Sequence, residues 1–305
     1  MSTIAEALRE AARRLAIVSD TARLDTELLM AHALGVSRSE LLLRHMHDPV
    51  PASFAALVER RAEHEPVAYI VGSKEFYGLE FAVTRDVLIP RMDSETLIEA
   101  ARAAFATQGP ERILDLGTGS GALLIASLVV WPDAEGLGLD RSLEALLVAI
   151  RNAQRHVNTP VAFVGDGPLE LPPQRPDRGF ARFLQGDWHV RGWRAHLGRF
   201  DLILANPPYV EDDAPIAPDV RRWEPEGALF AGPQGLDDYR VLVPQLPDLL
   251  AEGGVAVLEI GAAQERQVAD IATAYGFTSE LRRDLAGRPR ALILRLGLGK
   301  SPVSH

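Results

Sequence analysis

Asn206-Pro207-Pro208-Tyr209 directly follows the apolar run Phe200 to Ala205, which reads as a strand. The four residues therefore stand where a strand of a parallel sheet hands its chain to the ligand crevice. Asn206 offers a side-chain carbonyl and Pro207 a main-chain carbonyl, and consecutive prolines hold the backbone that carries both. Two fixed acceptors suit one kind of nucleophile, a planar amide. Its nitrogen is weak because the lone pair is delocalised, so both N–H groups must be held and the lone pair aimed, while Tyr209 stacks on the amide plane. The matching electrophile is a methyl group on a sulfonium, transferred in line, for which orientation and desolvation are the protein's contribution. No general base is needed before attack, and no histidine is nominated. The alternative for the same four residues is a rigid turn after a strand.

A second constellation lies upstream. The apolar run Ile113-Leu114-Asp115-Leu116 enters Gly117-Thr118-Gly119-Ser120-Gly121 and then a helical stretch. Three glycines allow a sharp turn and a close backbone approach to a ligand. Nucleotide dehydrogenases use a similar turn with GxGxxG spacing, whereas here the spacing is GxGxG behind the acid Asp115. The next strand ends at Asp140, nineteen residues after Gly121, where a carboxylate can accept hydrogen bonds from two ribose hydroxyls; the alternative for Asp140 is a helix N-cap. Asp187-Trp188, after Phe183-Leu184, would set an acceptor and an aromatic face beside an adenine ring. Gly165-Asp166, after Phe163-Val164, is the rival, and Asp187 with Trp188 is the preferred pair.

These residues need a scaffold, and the hydrophobic periodicity supplies one. Ile4, Leu8, Ala11 and Leu15, then Leu24, Leu28 and Ala31, recur at helical spacing, predicting a small helical domain over 1–71. Leu79, Phe81 and Val83 alternate after Gly78, which predicts a β-hairpin linker over 72–91. From 92 to 296 helix and strand alternate: a helix with Leu97, Ile98, Ala101 and Phe105, a strand 112–116, a helix 122–130, a strand 136–140, a helix with Leu143, Leu146, Leu147 and Ile150 on one face, and strands 200–205, 255–260 and 291–296. The fold class expected is α/β, a Rossmann-like doubly wound sheet preceded by a small helical domain. The stretch Gly165–Phe180, with four prolines, reads as a surface loop, and 297–305 as a frayed tail.

Composition narrows the class further. The chain has 305 residues, 47% of them hydrophobic, enough for one large domain and a small one. The absence of cysteine rules out disulfides, thiol nucleophiles and cysteine metal sites. With no signal-type segment and no run of roughly 18 apolar residues, a cytoplasmic location, away from membranes, is expected. A formal charge of −10 argues against direct nucleic-acid binding. His45, His47 and Asp48 read as a solvated helix end, so no metal is expected. A monomer is expected.

The chain resembles the HemK/PrmC family of protein-glutamine N5-methyltransferases from about residue 20 to 296. The resemblance rests on Arg23-Leu24-Asp25, Glu27-Leu28-Leu29, Glu65 to Ile70, Phe76 to Phe81 and Leu88 to Arg91, all outside the general methyltransferase core. It continues through Asp115 to Gly121, Gly186-Asp187-Trp188, Asn206 to Tyr209, Glu224-Pro225, Gly235-Leu236-Asp237, Tyr239-Arg240 and Leu258 to Gly261. It implies S-adenosylmethionine as cofactor, leaving as S-adenosylhomocysteine, bound by Gly117 to Gly121, Asp140, Trp188 and Asn206. It implies as substrate the glutamine of the Gly-Gly-Gln motif of class-1 peptide chain release factors, held by Asn206 to Tyr209. A ribosomal-protein glutamine, or an adenine N6 stacked on Tyr209, is the alternative substrate. Two departures are visible: Gly165–Phe180 looks inserted, and Met92 follows Arg91 where the family suggests proline.

Overall fold

The computed structural model describes residues 3–157, 161–164 and 180–297, the strand 161–164 by its backbone alone. Tertiary contacts divide the chain into two units, Met1–Ser73 together with Ile216–Glu224, and Lys74–Pro215 together with the chain from Pro225 onward.

In the first unit, α1 (Ile4–Leu15), α2 (Ala22–Leu34), α3 (Phe54–Ala62) and α4 (Val67–Val71) surround a core that includes Ile4, Leu15, Leu29, Met30 and Leu41. α1 opens with a capping box: Thr3 accepts from the Glu6 N–H, and Glu6 accepts from the Thr3 N–H. The face expected of α2 is corrected. Ala31 is buried as expected, but Leu24 and Leu28 are 41% and 36% exposed, and the helix buries Asp25, Leu29 and Met30 in their place. The cause is a buried ion pair that periodicity of apolar residues does not register. Arg61 Nε donates to Asp25 Oδ2 at 2.7 Å, and Ser19 and Thr21 donate to the same carboxylate at 2.8 and 2.9 Å. Asp219, from the short helix Pro218–Trp223, stands 3.8 Å from Arg61. Removing the acid leaves a buried guanidinium without its main partner. Asp25→Ala is expected to lower stability by about 3 kcal/mol, measured as a reduced urea midpoint; an unchanged midpoint would show that the pair contributes nothing net.

The second unit begins with the hairpin β1 (Ser73–Phe76) and β2 (Leu79–Ala82), followed by α5 (Glu95–Ala104), β3 (Arg112–Leu116), α6 (Ala122–Val130), β4 (Glu135–Asp140) and α7 (Leu143–His156). It continues with β5 (Val161–Val164), β6 (Phe180–Gln185), β7 (Phe200–Ala205), and, after the helix Pro218–Trp223 that groups with the first unit, α8 (Asp237–Leu242), β8 (Leu250–Glu259), α9 (Glu265–Ala274), β9 (Phe277–Arg283) and β10 (Pro289–Leu296). Eight strands form one sheet in the order β5-β6-β4-β3-β7-β8-β10-β9, parallel except for β10, which pairs antiparallel with β8 and β9. The chain moves outward from β3 to β4 on one side and returns to β7 on the other, so a crevice opens at the carboxyl ends of β3, β4 and β7. This is the doubly wound α/β sheet expected, with β9, which the periodicity had not flagged, added at its edge.

Both faces are covered, as the parallel strands require. Ile113, Leu202, Leu204 and Val257 point into one core with α5, α6 and α7, while Leu114, Ile203, Ala205 and Leu258 point into the other. Phe76 and Phe81 of the hairpin are fully buried in the first of these cores. α7 again departs from the face expected. Leu143 and Leu147 are 38% and 58% exposed, and Ala145, Leu146, Ala149 and Asn152 turn inward. Alanines permit close approach to the sheet, and Asn152 has polar partners waiting there. The expected loop 165–180 and tail 297–305 lie outside the described residues, apart from Phe180, which opens β6, and Gly297. No helix among the described residues is long and apolar enough to cross a membrane.

Candidate active site

The carboxyl ends of β3, β4, β6 and β7 converge on a cavity of about 400 Å³ within the second unit. Gly117, Thr118, Gly119, Ser120, Asp140, Asp187, Trp188, Asn206 and Pro208 of the expected site all line it. Asp115, Gly121, Pro207 and Tyr209 are not among its lining residues; Asp115 is engaged by Thr118, and Tyr209 by Glu259.

The glycine turn is held by Leu139 of the neighbouring strand, whose carbonyl accepts from the N–H groups of Gly117 and Thr118 at 2.8 and 2.9 Å. Gly117 and Gly121 have φ of +72° and +81°, which side chains rarely adopt. Space is tight as well: a Cβ on Gly117 would lie 3.1 Å from the Trp188 ring, and one on Gly121 would lie 2.9 Å from Ile125. Asn152 braces the turn from below, donating through Nδ2 to the carbonyls of Ser120 at 2.9 Å and Ala82 at 3.0 Å.

Asp115 lies beneath the turn, 1% exposed, accepting from Thr118 Oγ1 at 2.6 Å. Its carboxyl is pushed up to about 7, chiefly by burial; the Thr118 hydroxyl and the Leu124 N–H oppose the shift, and the Asp140 charge adds to it. In the unfolded chain the group titrates near 3.8, so between about pH 4 and about pH 7 the folded state holds a proton that the unfolded state has lost. Stability should therefore fall as pH rises through that window. Asp115→Asn is expected to flatten the decline of the melting temperature from about pH 5 to about pH 8. Parallel curves for variant and wild type would assign the slope to Asp140 and Glu259, whose carboxyls burial also raises.

Asp140 is not a helix N-cap, since Ser142 caps α7 and accepts from the Ala145 N–H at 3.1 Å. Asp140 instead ties the two loops together, Oδ2 accepting from Gly119 N–H and Oδ1 from Ser142 N–H, both at 2.9 Å. A carboxylate has about four acceptor positions, so acceptor capacity remains for the cavity that Asp140 lines. Of the two acids that the sequence left in competition, the structure describes one. β6, not β5, lies beside β4, so Asp187 and Trp188 reach the cavity, whereas Asp166 falls outside the described residues.

At the end of β7, Asn206 faces the cavity and Pro207 and Pro208 are buried. Tyr209 is directed away: its hydroxyl donates to Glu259 Oε1 at 3.3 Å, and its carbonyl accepts from Gln264 Nε2 at 3.0 Å. Burial, with the nearby Glu259 carboxylate, raises the Tyr209 hydroxyl above its ordinary range, so the phenol stays protonated. Arg290 stands 3.9 Å from Glu259 and donates to Asp93 at 2.9 Å, tying this wall to the start of α5.

Several wall residues had not been assigned to the site from sequence: Arg85 to Leu88, Ser94, Gly227 and Asp238. Their neighbours Leu88 to Arg91, Glu224-Pro225 and Gly235 to Asp237 were the available signal, visible as motifs without a stated role. Arg141 Nη2 donates to the Gly227 carbonyl at 2.9 Å, drawing the segment after Pro225 along the cavity rim.

Residues 6–72 match the family model of the PrmC N-terminal domain. A release factor glutamine methyltransferase from Cereibacter sphaeroides is 42% identical over 96% of this chain and 98% of its own length. Another, from Rhodospirillum rubrum, is 40% identical over 93% of this chain and 82% of its own. The chain belongs to the release factor glutamine methyltransferase family. Among solved structures, the protein-(glutamine-N5) methyltransferase (release factor-specific) of Alicyclobacillus acidocaldarius aligns with 71% of this chain and all of its own at 23% identity and a TM-score of 0.39, a loose likeness. In this release factor glutamine methyltransferase family member, Met92 stands where proline was expected. It is 62% exposed at the start of the 3₁₀ turn Met92–Ser94, and Ser94 still reaches the cavity.

Proposed function

We propose that the protein transfers a methyl group from S-adenosylmethionine to the side-chain N5 of the glutamine in the Gly-Gly-Gln motif of peptide chain release factors. One observation carries the reading: Asn206 and the glycine turn Gly117 to Ser120 open on the same cavity, so an amide held at one would meet an electrophile held at the other. The residues suit the cofactor. The turn offers a cradle that a Cβ would fill, Asp140 has free lone pairs for hydroxyls, and Trp188 offers an aromatic face. When bound, S-adenosylmethionine supplies the methyl electrophile.

Asn206 Oδ1 and the Pro207 carbonyl accept the two amide N–H groups, fixing the nitrogen with its lone pair toward the sulfonium methyl. Held there, the amide nitrogen would take the methyl group that the bound cofactor supplies and would give up a proton to water. The Tyr209 hydroxyl is held by Glu259 and the ring is not among the cavity lining, which supports a role in bracing the loop over one in stacking on the substrate. That placement disfavours the adenine alternative, which needs an aromatic ring over an extruded base. The helical segment 1–71 is assigned to recognition of the release factor.

The test is transfer of labelled methyl to purified release factor, to the factor with its Gly-Gly-Gln glutamine changed to alanine, to ribosomal proteins and to duplex DNA. Label on the intact factor alone is expected. Equal label on the altered factor, or label on DNA or a ribosomal protein instead, would overturn the assignment.

A further inference from the structure

Trp188 is anchored at both ends by residues that the reaction itself does not use. Its indole Nε1 donates to Asp238 Oδ1 at 2.8 Å, and its carbonyl accepts from Gln245 Nε2 at 3.0 Å. Gln245 is itself fully engaged: Nε2 also donates to the Val241 carbonyl at 2.8 Å, and Oε1 accepts from Trp193 Nε1 at 2.7 Å and Arg194 Nη1 at 2.8 Å. Asp238 is 7% exposed, on α8, and lines the cavity beside Trp188. On the opposite edge, the indole abuts Gly117 so closely that a Cβ there would be 3.1 Å away. An indole has one donor and no acceptor, so a single carboxylate decides how the ring is turned about its own axis.

We infer that Asp238 is a positioning residue for the cofactor, holding the Trp188 indole with its far edge against Gly117 so that its face forms one wall of the base pocket. This inference rests on reading the cavity as the S-adenosylmethionine site. Asp238 acts through Trp188, not on the reacting atoms. His189 Nε2, 3.5 Å from the same oxygen, and Asp187, 3.0 Å from His189 Nδ1, complete the charged surroundings. Losing a hydrogen bond to a charged acceptor commonly costs about tenfold in an equilibrium constant.

The experiment is calorimetric titration with S-adenosylhomocysteine of the full chain and of Asp238→Ala, Asp238→Asn, Trp188→Phe and the Asp238→Ala, Trp188→Phe pair. Asp238→Ala is expected to bind about tenfold more weakly. Asp238→Asn, which keeps an acceptor, should stay within about threefold of wild type. In the Trp188→Phe background, Asp238→Ala should add almost nothing, because its partner is gone. Steady-state assays should show the loss in the KM for S-adenosylmethionine, with kcat within about twofold. Wild-type affinity in Asp238→Ala, or an undiminished loss in the Trp188→Phe background, would overturn the inference, the latter by showing that Asp238 meets the cofactor directly. The indole N–H resonance that vanishes in Trp188→Phe provides a check on the wild type alone: slow exchange with solvent is expected, and rapid exchange would overturn the contact. Failure of the wild type to bind S-adenosylhomocysteine would instead remove the cofactor reading beneath it.

Discussion

Asn206→Ala should reduce methyl transfer to the release factor by about 10²- to 10³-fold in kcat. The size follows from what the side chain is asked to do. Asn206 stands at the carboxyl end of β7, its backbone fixed by the buried Pro207 and Pro208 that follow. Removing its carbonyl leaves one of two amide N–H groups unheld, and the nitrogen lone pair is then free to turn from the methyl group. A misplacement of about 1 Å is enough for a loss of this order. Cofactor affinity should fall by no more than about tenfold, the worth of one lost hydrogen bond. Single-turnover methyl transfer at saturating cofactor, with calorimetric titration by S-adenosylhomocysteine, separates the two. A variant with near-normal kcat and a lost cofactor would move Asn206 from substrate orientation to cofactor binding alone.

The second large effect is expected at Asp140. Its carboxylate ties Gly119 to Ser142 and has lone pairs left for ribose hydroxyls. Asp140→Ala removes the ligand's acceptors and loosens the glycine turn in the same step. Charge-assisted hydrogen bonds contribute about 1.5–3 kcal/mol each, so affinity for S-adenosylhomocysteine should drop at least about 10²-fold. Transfer should recover in part when S-adenosylmethionine is raised, because Asn206 and Pro207 are untouched. Asp140→Asn, keeping one acceptor but no charge, should fall between. Affinity within about threefold of wild type in Asp140→Ala would show that the ribose is held by other groups.

The sequence by itself determined the elements whose signal is local. Period-two and period-3.6 patterns marked most of the strands and helices, and Gly117 to Ser120, Asp140, Asn206 and Pro208 could be placed together on one cavity because each stands at or just after a strand end. Strand ends share one edge in a parallel sheet, so their neighbourhood is implied before any contact is known.

What the tertiary structure decided depends on which strand lies beside which, and on where polar groups find partners. Sequence left Asp166 and Asp187 as rivals; the pairing of β6 with β4 placed Asp187 on the cavity. The buried faces of α2 and α7 were misjudged because Asp25 and Asn152 turn inward toward Arg61 and Ser120, partners remote in the chain. Tyr209, expected against the substrate, swings to Glu259 for the same reason. A hydrophobic pattern records how often a side chain avoids water, but not which distant charge or carbonyl makes burial of a polar one favourable.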